Sequence, residues 1–233
     1  MNFFGHAAVA TWSALPSGAV PAVVLGAMLP DFATMCGGQI DSADEEPVAE
    51  GIALHHATDA VFHQLPVVTA LMRELDDRLR QDHCARGPRR ATAHIGVELL
   101  LDGVLVDEPS YRAAYLGGLT HDPALRWRAP DDAPRFAALL DRLRARGIPD
   151  DLRSPEAITL RLQRILAPRP RLAPTSEDLR AIHRALVGFQ PRIDVSAETI
   201  MRAMRAALDL SPAPGPAPGP APEPAPDPGL SSS

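Results

Sequence analysis

Apolar residues along this chain recur at intervals of three and four, and runs that alternate every second residue with β-branched side chains are absent. The pattern predicts an all-α protein with helices over 3–12, 20–29, 48–62, 66–81, 90–106, 134–146, 155–166, 177–187 and 197–210. Two starts are well signalled. Ser154-Pro155-Glu156 offers a side-chain cap followed by proline at the first helical position, and Thr175-Ser176-Glu177-Asp178 places acids in a first turn. From Ser211 the pattern gives way to Pro-Ala-Pro-Gly repeats that lack apolar groups to pack, so 211–233 is expected to be a disordered, solvated tail behind a single helical domain over 1–210.

Composition changes this picture in a few respects. With 45% hydrophobic and 22% charged residues, the 233-residue chain can bury one sizeable core. A formal charge of -6 gives no reason to expect a nucleic-acid binder. All 23 basic residues are Arg, which suits bidentate phosphate recognition but is read more simply as a genomic bias. Two cysteines, Cys36 and Cys84, exclude a disulfide framework and a four-thiolate zinc site. No Lys or Arg precedes Arg73, so the apolar N-terminal region lacks the positive segment of a secretion signal, and His6, Trp12, Pro16 and Pro21 interrupt any bilayer span. A cytoplasmic protein without a membrane span is expected.

The candidate chemistry lies on two predicted helices. His55, Asp59 and His63 are spaced by four and share one helical face, with His56 about 100° away. His94, Glu98 and Asp102 repeat the device on a helix otherwise rich in Leu and Val. Buried carboxylates cost several kcal/mol unless paired, capped or metal-bound, so these six residues are expected either to hold a divalent ion or to meet arginines and helix ends. His55 and Asp59 form the stronger pair. His56 is assigned a second-layer or proton-donating role, and His94 a similar one. Asp31 emerges at the end of a predicted helix, where it either turns inward to a metal or caps the next turn. A lone histidine such as His6 in an apolar run is more often a core residue than a ligand, and gains weight only from its company. The His121-Asp122 dipeptide before Pro123 reads as chance, Gly37-Gly38 lacks the lysine of a phosphate loop, and no Gly-x-Ser-x-Gly elbow supports covalent acyl catalysis.

Three segments taken together, Met1-Asn2-Phe3-Phe4-Gly5-His6, Leu25-Gly26-Ala27-Met28-Leu29-Pro30-Asp31-Phe32, and Gly51-Ile52-Ala53-Leu54-His55-His56-Ala57-Thr58-Asp59 with Leu65-Pro66 following, resemble in order and spacing the acyl-carrier-protein phosphodiesterases. That family is a divergent, all-helical relative of the His-Asp phosphohydrolases. The likeness covers the first half of the chain and fades after Val106. It implies a bundle-like fold of that type and metal-site roles for His6, Asp31, His55, Asp59 and Asp102. The chain departs from the family pattern at three positions: His56 stands where the family has Arg, Glu98 where Asp is common, and Gly103 where the His of an Asp-His pair is found.

The resemblance further implies a phosphoric-diester hydrolase that uses a divalent ion and water to release phosphopantetheine from acyl carrier protein, and the mixed carboxylate and imidazole donors suit Mn²⁺ or Mg²⁺. Carrier proteins are acidic, and Arg73, Arg78, Arg80, Arg86, Arg89 and Arg90 form the candidate docking face. Two other readings stand beside this one: a metal hydrolase of another phosphoester, and a non-enzymatic helical scaffold with a degenerate metal site and a Pro-rich interaction tail.

Overall fold

A computed structural model describes residues 1–13 and 18–209. The expected tail over 211–233 and the last residue of the helix expected over 197–210 lie outside them. Helices dominate: α1 (Phe3–Ala10), α2 (Val20–Cys36), α3 (Glu46–Phe62), α4 (Pro66–Gln81), α5 (Arg86–Leu105), α6 (Pro109–Leu119), α7 (Asp132–Arg146), α8 (Pro155–Leu166) and α9 (Ser176–Ala207). Two short strands, β1 (Ile40–Ala43) and β2 (Leu125–Trp127), pair antiparallel with a bulge between Ile40 and Ser42. The all-α expectation holds, with this ribbon as the addition. Strands of three and four residues are too short to carry an alternation that a sequence pattern can detect. No described helix is long and apolar enough to cross a membrane.

α1 is buried on every side, as its uniformly apolar sequence requires. Phe3 and Phe4 lie against Tyr115 of α6 and Phe3 against Phe32 of α2, with ring centroids 5.4–6.0 Å apart. α4, by contrast, buries only Val68, Leu71, Leu75 and Leu79, a single stripe. Around α1 the core is continuous from Met1 to Met204.

Four differences from the sequence reading bear on the packing. α2 runs seven residues past Leu29, with Pro30 inside it. The helix stops only at Gly37, which takes a left-handed φ of 68° while Gly37 and Gly38 donate to the Thr34 and Ala33 carbonyls. α5 begins four residues before Arg90. α6 lies outside the expected helices and contains Gly117-Gly118, a pair that signals a turn in sequence, yet Gly118 is where α6 packs against Val24, Leu25 and Met28. The helices expected over 177–187 and 197–210 are one helix, α9, with Pro191 inside. Pro191 removes a donor for the Val187 carbonyl on the exposed side, and the neighbouring Gly188 carbonyl accepts from Arg78 Nη1 at 3.0 Å. The start of α9 is secured by a reciprocal cap between Thr175 and Asp178.

Candidate metal centre

The site begins with a glycine crossing. A Cβ on Gly26 of α2 would fall 2.3 Å from the Val48 carbonyl oxygen, and one on Gly51 of α3 would fall 2.3 Å from that of Val23. Only two glycines allow these backbones to approach so closely. A turn further along each helix, the approach brings Asp31 of α2 and His55 of α3 to one place, where His6 of α1 joins them. One ligand atom from each of the three lies within 4.8 Å of the others.

The two imidazoles are held as neutral, oriented rings. His55 Nδ1 is 2.8 Å from the Ala27 carbonyl oxygen and His6 Nε2 is 3.0 Å from that of Met1. A carbonyl can only accept, so these nitrogens carry the protons and leave lone pairs on His55 Nε2 and His6 Nδ1. The rings stack with centroids 3.8 Å apart. Burial lowers both pKa values, that of His55 to about 4, and the proximity of His6 adds to the effect on His55.

Several groups in this place lack partners. His6 Nδ1 and Asp31 Oδ2 are shielded from solvent and accept no hydrogen bond. His55 Nε2 faces Asp59 Oδ2 at 3.7 Å, a lone pair against a carboxylate. Burial drives the Asp31 pKa well above its ordinary value, and Asp59 and Asp102 reinforce the rise against the opposing pull of the Met1 ammonium. Asp59 moves the other way: burial raises it, but hydrogen bonding from His6 and the charge of the Met1 ammonium outweigh that and hold it low. Its Oδ1 is 2.6 Å from the Met1 amine and 3.3 Å from His6 Nε2. Burial works against the Met1 ammonium, and the attraction of Glu98, Asp59 and Asp31 overcomes it, raising its pKa.

Asp102 is in a different situation. Its Oδ2 accepts from Asn2 Nδ2 at 2.7 Å and from the Phe4 amide at 3.2 Å, and its Oδ1 accepts from the Gly5 amide at 2.9 Å. It therefore caps the start of α1 from α5. Burial pushes its pKa up to about 7 against these three donors. Asp102 lies outside both candidate ligand groups and positions His6 through the helix that carries it. Gly103 has no room for a side chain, because a Cβ there would meet the Leu152 carbonyl oxygen at 2.3 Å. The histidine that the family resemblance would place at this position is excluded by the packing of the 3₁₀ turn over Asp150–Arg153.

His63, His94 and Glu98 form a second group, again with ligand atoms within 4.8 Å. The expected face of His55, Asp59 and His63 is thus divided between two places, as is that of His94, Glu98 and Asp102. His56 stands edge-on to His55 at 5.4 Å and lines a groove of about 730 Å³ with Pro30, Ile40, Ser42, Ile52 and Arg128. Of the six arginines expected to form a docking face, three are committed: Arg78 to Glu74, Arg80 to Asp77 and Arg89 to Asp76. Arg73 and Arg90 carry no ion pair among the described residues and line a cleft of about 360 Å³ with His94. His121 binds Glu45 at 2.9 Å beside the strand pair, a structural use of the residue read as chance. Sequence reasoning missed the Met1 amine and Asn2, whose only signal was the N-terminal hexapeptide of the resemblance.

Comparison with family models, with characterised proteins and with solved structures gave no match.

Proposed function

We propose that the chain is a metal-dependent phosphoric-diester hydrolase, with His6, Asp31 and His55 as the protein ligands of its ion. The supporting observation is that His6, Asp31 and His55 each bring a ligand atom within 4.8 Å of the others, while His6 Nδ1 and Asp31 Oδ2 are shielded acceptors without partners. A buried carboxylate and two fixed neutral imidazoles are costly to assemble without a cation. The donor set favours Mn²⁺ over Mg²⁺, since imidazole suits transition metals and Mg²⁺ prefers oxygen. Such an ion, with three protein ligands, supplies a Lewis acid for a phosphoryl oxygen and an activated water.

The chain's own residues do the rest. The Ala27 and Met1 carbonyls fix the imidazole tautomers, and Asp59 braces the proton-bearing edge of His6. The Asp102 cap holds α1 in register. His56, at the groove wall, is placed to donate a proton to the departing alcohol. A groove of about 730 Å³ suits an extended substituent such as phosphopantetheine, and the Arg73 and Arg90 pair offers positive charge to an acidic carrier protein.

The test is a diester panel assayed with added Mn²⁺: bis(4-nitrophenyl) phosphate and a phosphopantetheinylated acyl carrier protein. Mn²⁺-dependent turnover that His55→Ala and Asp31→Ala abolish is expected. Turnover of the small diester alone would remove the carrier protein as substrate, and failure of both under metal-replete conditions would overturn the hydrolase reading.

A further inference from the structure

The first group leaves a charge unexplained. Asp31, Asp59, Glu98 and Asp102 all lie within electrostatic reach of the Met1 ammonium. Among the described residues, the contacts of Asp59 and Glu98 are to that ammonium and to histidines, never to an arginine. Burial pushes the Asp31 and Asp102 carboxyls toward the neutral form, while Asp59 and Glu98 share this ammonium as their one fixed cation among the described residues.

Glu98 is the focus. It is 8% exposed, and its Oε1 is 3.2 Å from His94 Nε2, 3.6 Å from His63 Nε2 and 3.5 Å from the Met1 amine. His94 and Glu98 are one turn apart on α5, so their side chains reach the same point above the helix. His63 caps the end of α3, and its ring lies against His94 and Glu98 of α5. The His63 and His94 rings lie nearly parallel, 16° between planes and 4.6 Å between centroids, with both Nε2 atoms directed at one carboxylate oxygen. Two imidazoles converging on a shared carboxylate, one ring half-buried and the other open to a cleft, form a three-ligand site with solvent access for an ion.

We propose that His63, His94 and Glu98 bind a second divalent cation, of the borderline class to which Zn²⁺ belongs, separate from the ion at His6, Asp31 and His55. Two nitrogens and one carboxylate oxygen, with positions left open, are a donor set that Zn²⁺ uses readily. The site stands on residues outside the first group, so it does not depend on the hydrolase reading. The Met1 ammonium, 2.6 Å from Asp59 and 3.5 Å from Glu98, marks how close the two sites come.

The experiment is a Zn²⁺ titration of the full-length, chelator-treated chain by calorimetry, with metal content after desalting measured by elemental analysis. Wild-type protein should take up two equivalents. His94→Ala and Glu98→Gln should each take up one, as should His55→Ala, while the double variant His55→Ala/Glu98→Gln takes up none. His94 is half-exposed, so its replacement is compatible with folding, and helical circular dichroism checks each variant. If His94→Ala and Glu98→Gln both bind as wild type does, the second site is overturned. If His55→Ala is without effect while His94→Ala loses its equivalent, the second site stands and the first falls.

Discussion

His6 and His55, from helices that are separated by a third in the chain order, stack with centroids 3.8 Å apart and each gives its ring proton to a main-chain carbonyl. Among the described residues, His6 Nδ1 and Asp31 Oδ2 beside this stack are shielded acceptors without a hydrogen-bond partner. Function-site residues of this kind commonly weaken the fold that carries them. Asp31→Asn, which keeps the shape and removes the charge, should therefore raise the urea midpoint of the metal-free protein and abolish its Mn²⁺ binding. A lowered midpoint would show that Asp31 is satisfied without a cation.

The glycine crossing makes a second prediction. Gly51→Ala forces a methyl group to within 2.3 Å of the Val23 carbonyl oxygen, and backbone has little freedom to yield. Overpacking of this kind costs about 1–3 kcal/mol, and separating α2 from α3 should weaken metal binding at least tenfold in the fraction that folds. Denaturant unfolding and a metal titration measure the two effects. Wild-type values for both would mean the helices can separate without disturbing the site.

Asp102 is assigned to the α1 cap, where removing its carboxylate strands two buried amide donors and the Asn2 amide. Asp102→Ala should cost about 3 kcal/mol or more, and Asp102→Asn, which keeps one acceptor oxygen, should cost less. An effect on metal affinity with no loss of stability would instead make Asp102 a ligand.

How far the sequence could have led is clear from particular residues. The helical period exposed most of the core, since α8 occupies the span its Ser154 cap and Pro155 predicted. Proline and glycine misled the reading where the tertiary structure absorbs them: Pro30 and Pro191 lie within helices, and Gly118 is a packing contact rather than a turn. At the site, four-residue spacing paired His55 with Asp59, and the family resemblance brought His6 and Asp31 to them; all four are neighbours. Spacing alone could not separate His63 from His55, or Asp102 from Glu98. That division depends on α1 starting against Asp102 and on the Met1 amine entering between Asp59 and Glu98, and neither is a property of one helix.

Pro191 provides a test of the fold away from the site. In the exposed middle of α9 it denies the Val187 carbonyl a donor. Pro191→Ala restores that bond and should raise stability by up to about 3 kcal/mol, seen as a higher denaturation midpoint. A decrease would mean that α9 needs the bend.

The Asp178 cap carries a pH dependence. Burial opposes its charge, but the Ala85 and Thr175 amides and the Thr175 hydroxyl hold its pKa below the ordinary value. A folded-state pKa below the unfolded one, about 3.9, adds stability that is complete above that pH and disappears as acid carries the solution toward the lower folded value. Asp178→Ala should lose about 1 kcal/mol at pH 7 and show a shallower decline below pH 4, as followed by thermal melts across acidic buffers. Identical slopes would remove Asp178 as a source of acid sensitivity.

The most direct measurement is an anomalous-difference map from crystals grown with Mn²⁺ at neutral pH. The account predicts a peak at bonding distance, about 2.0–2.2 Å, from His6 Nδ1, His55 Nε2 and an Asp31 carboxylate oxygen. Metal-replete crystals with no peak at those three atoms would contradict it.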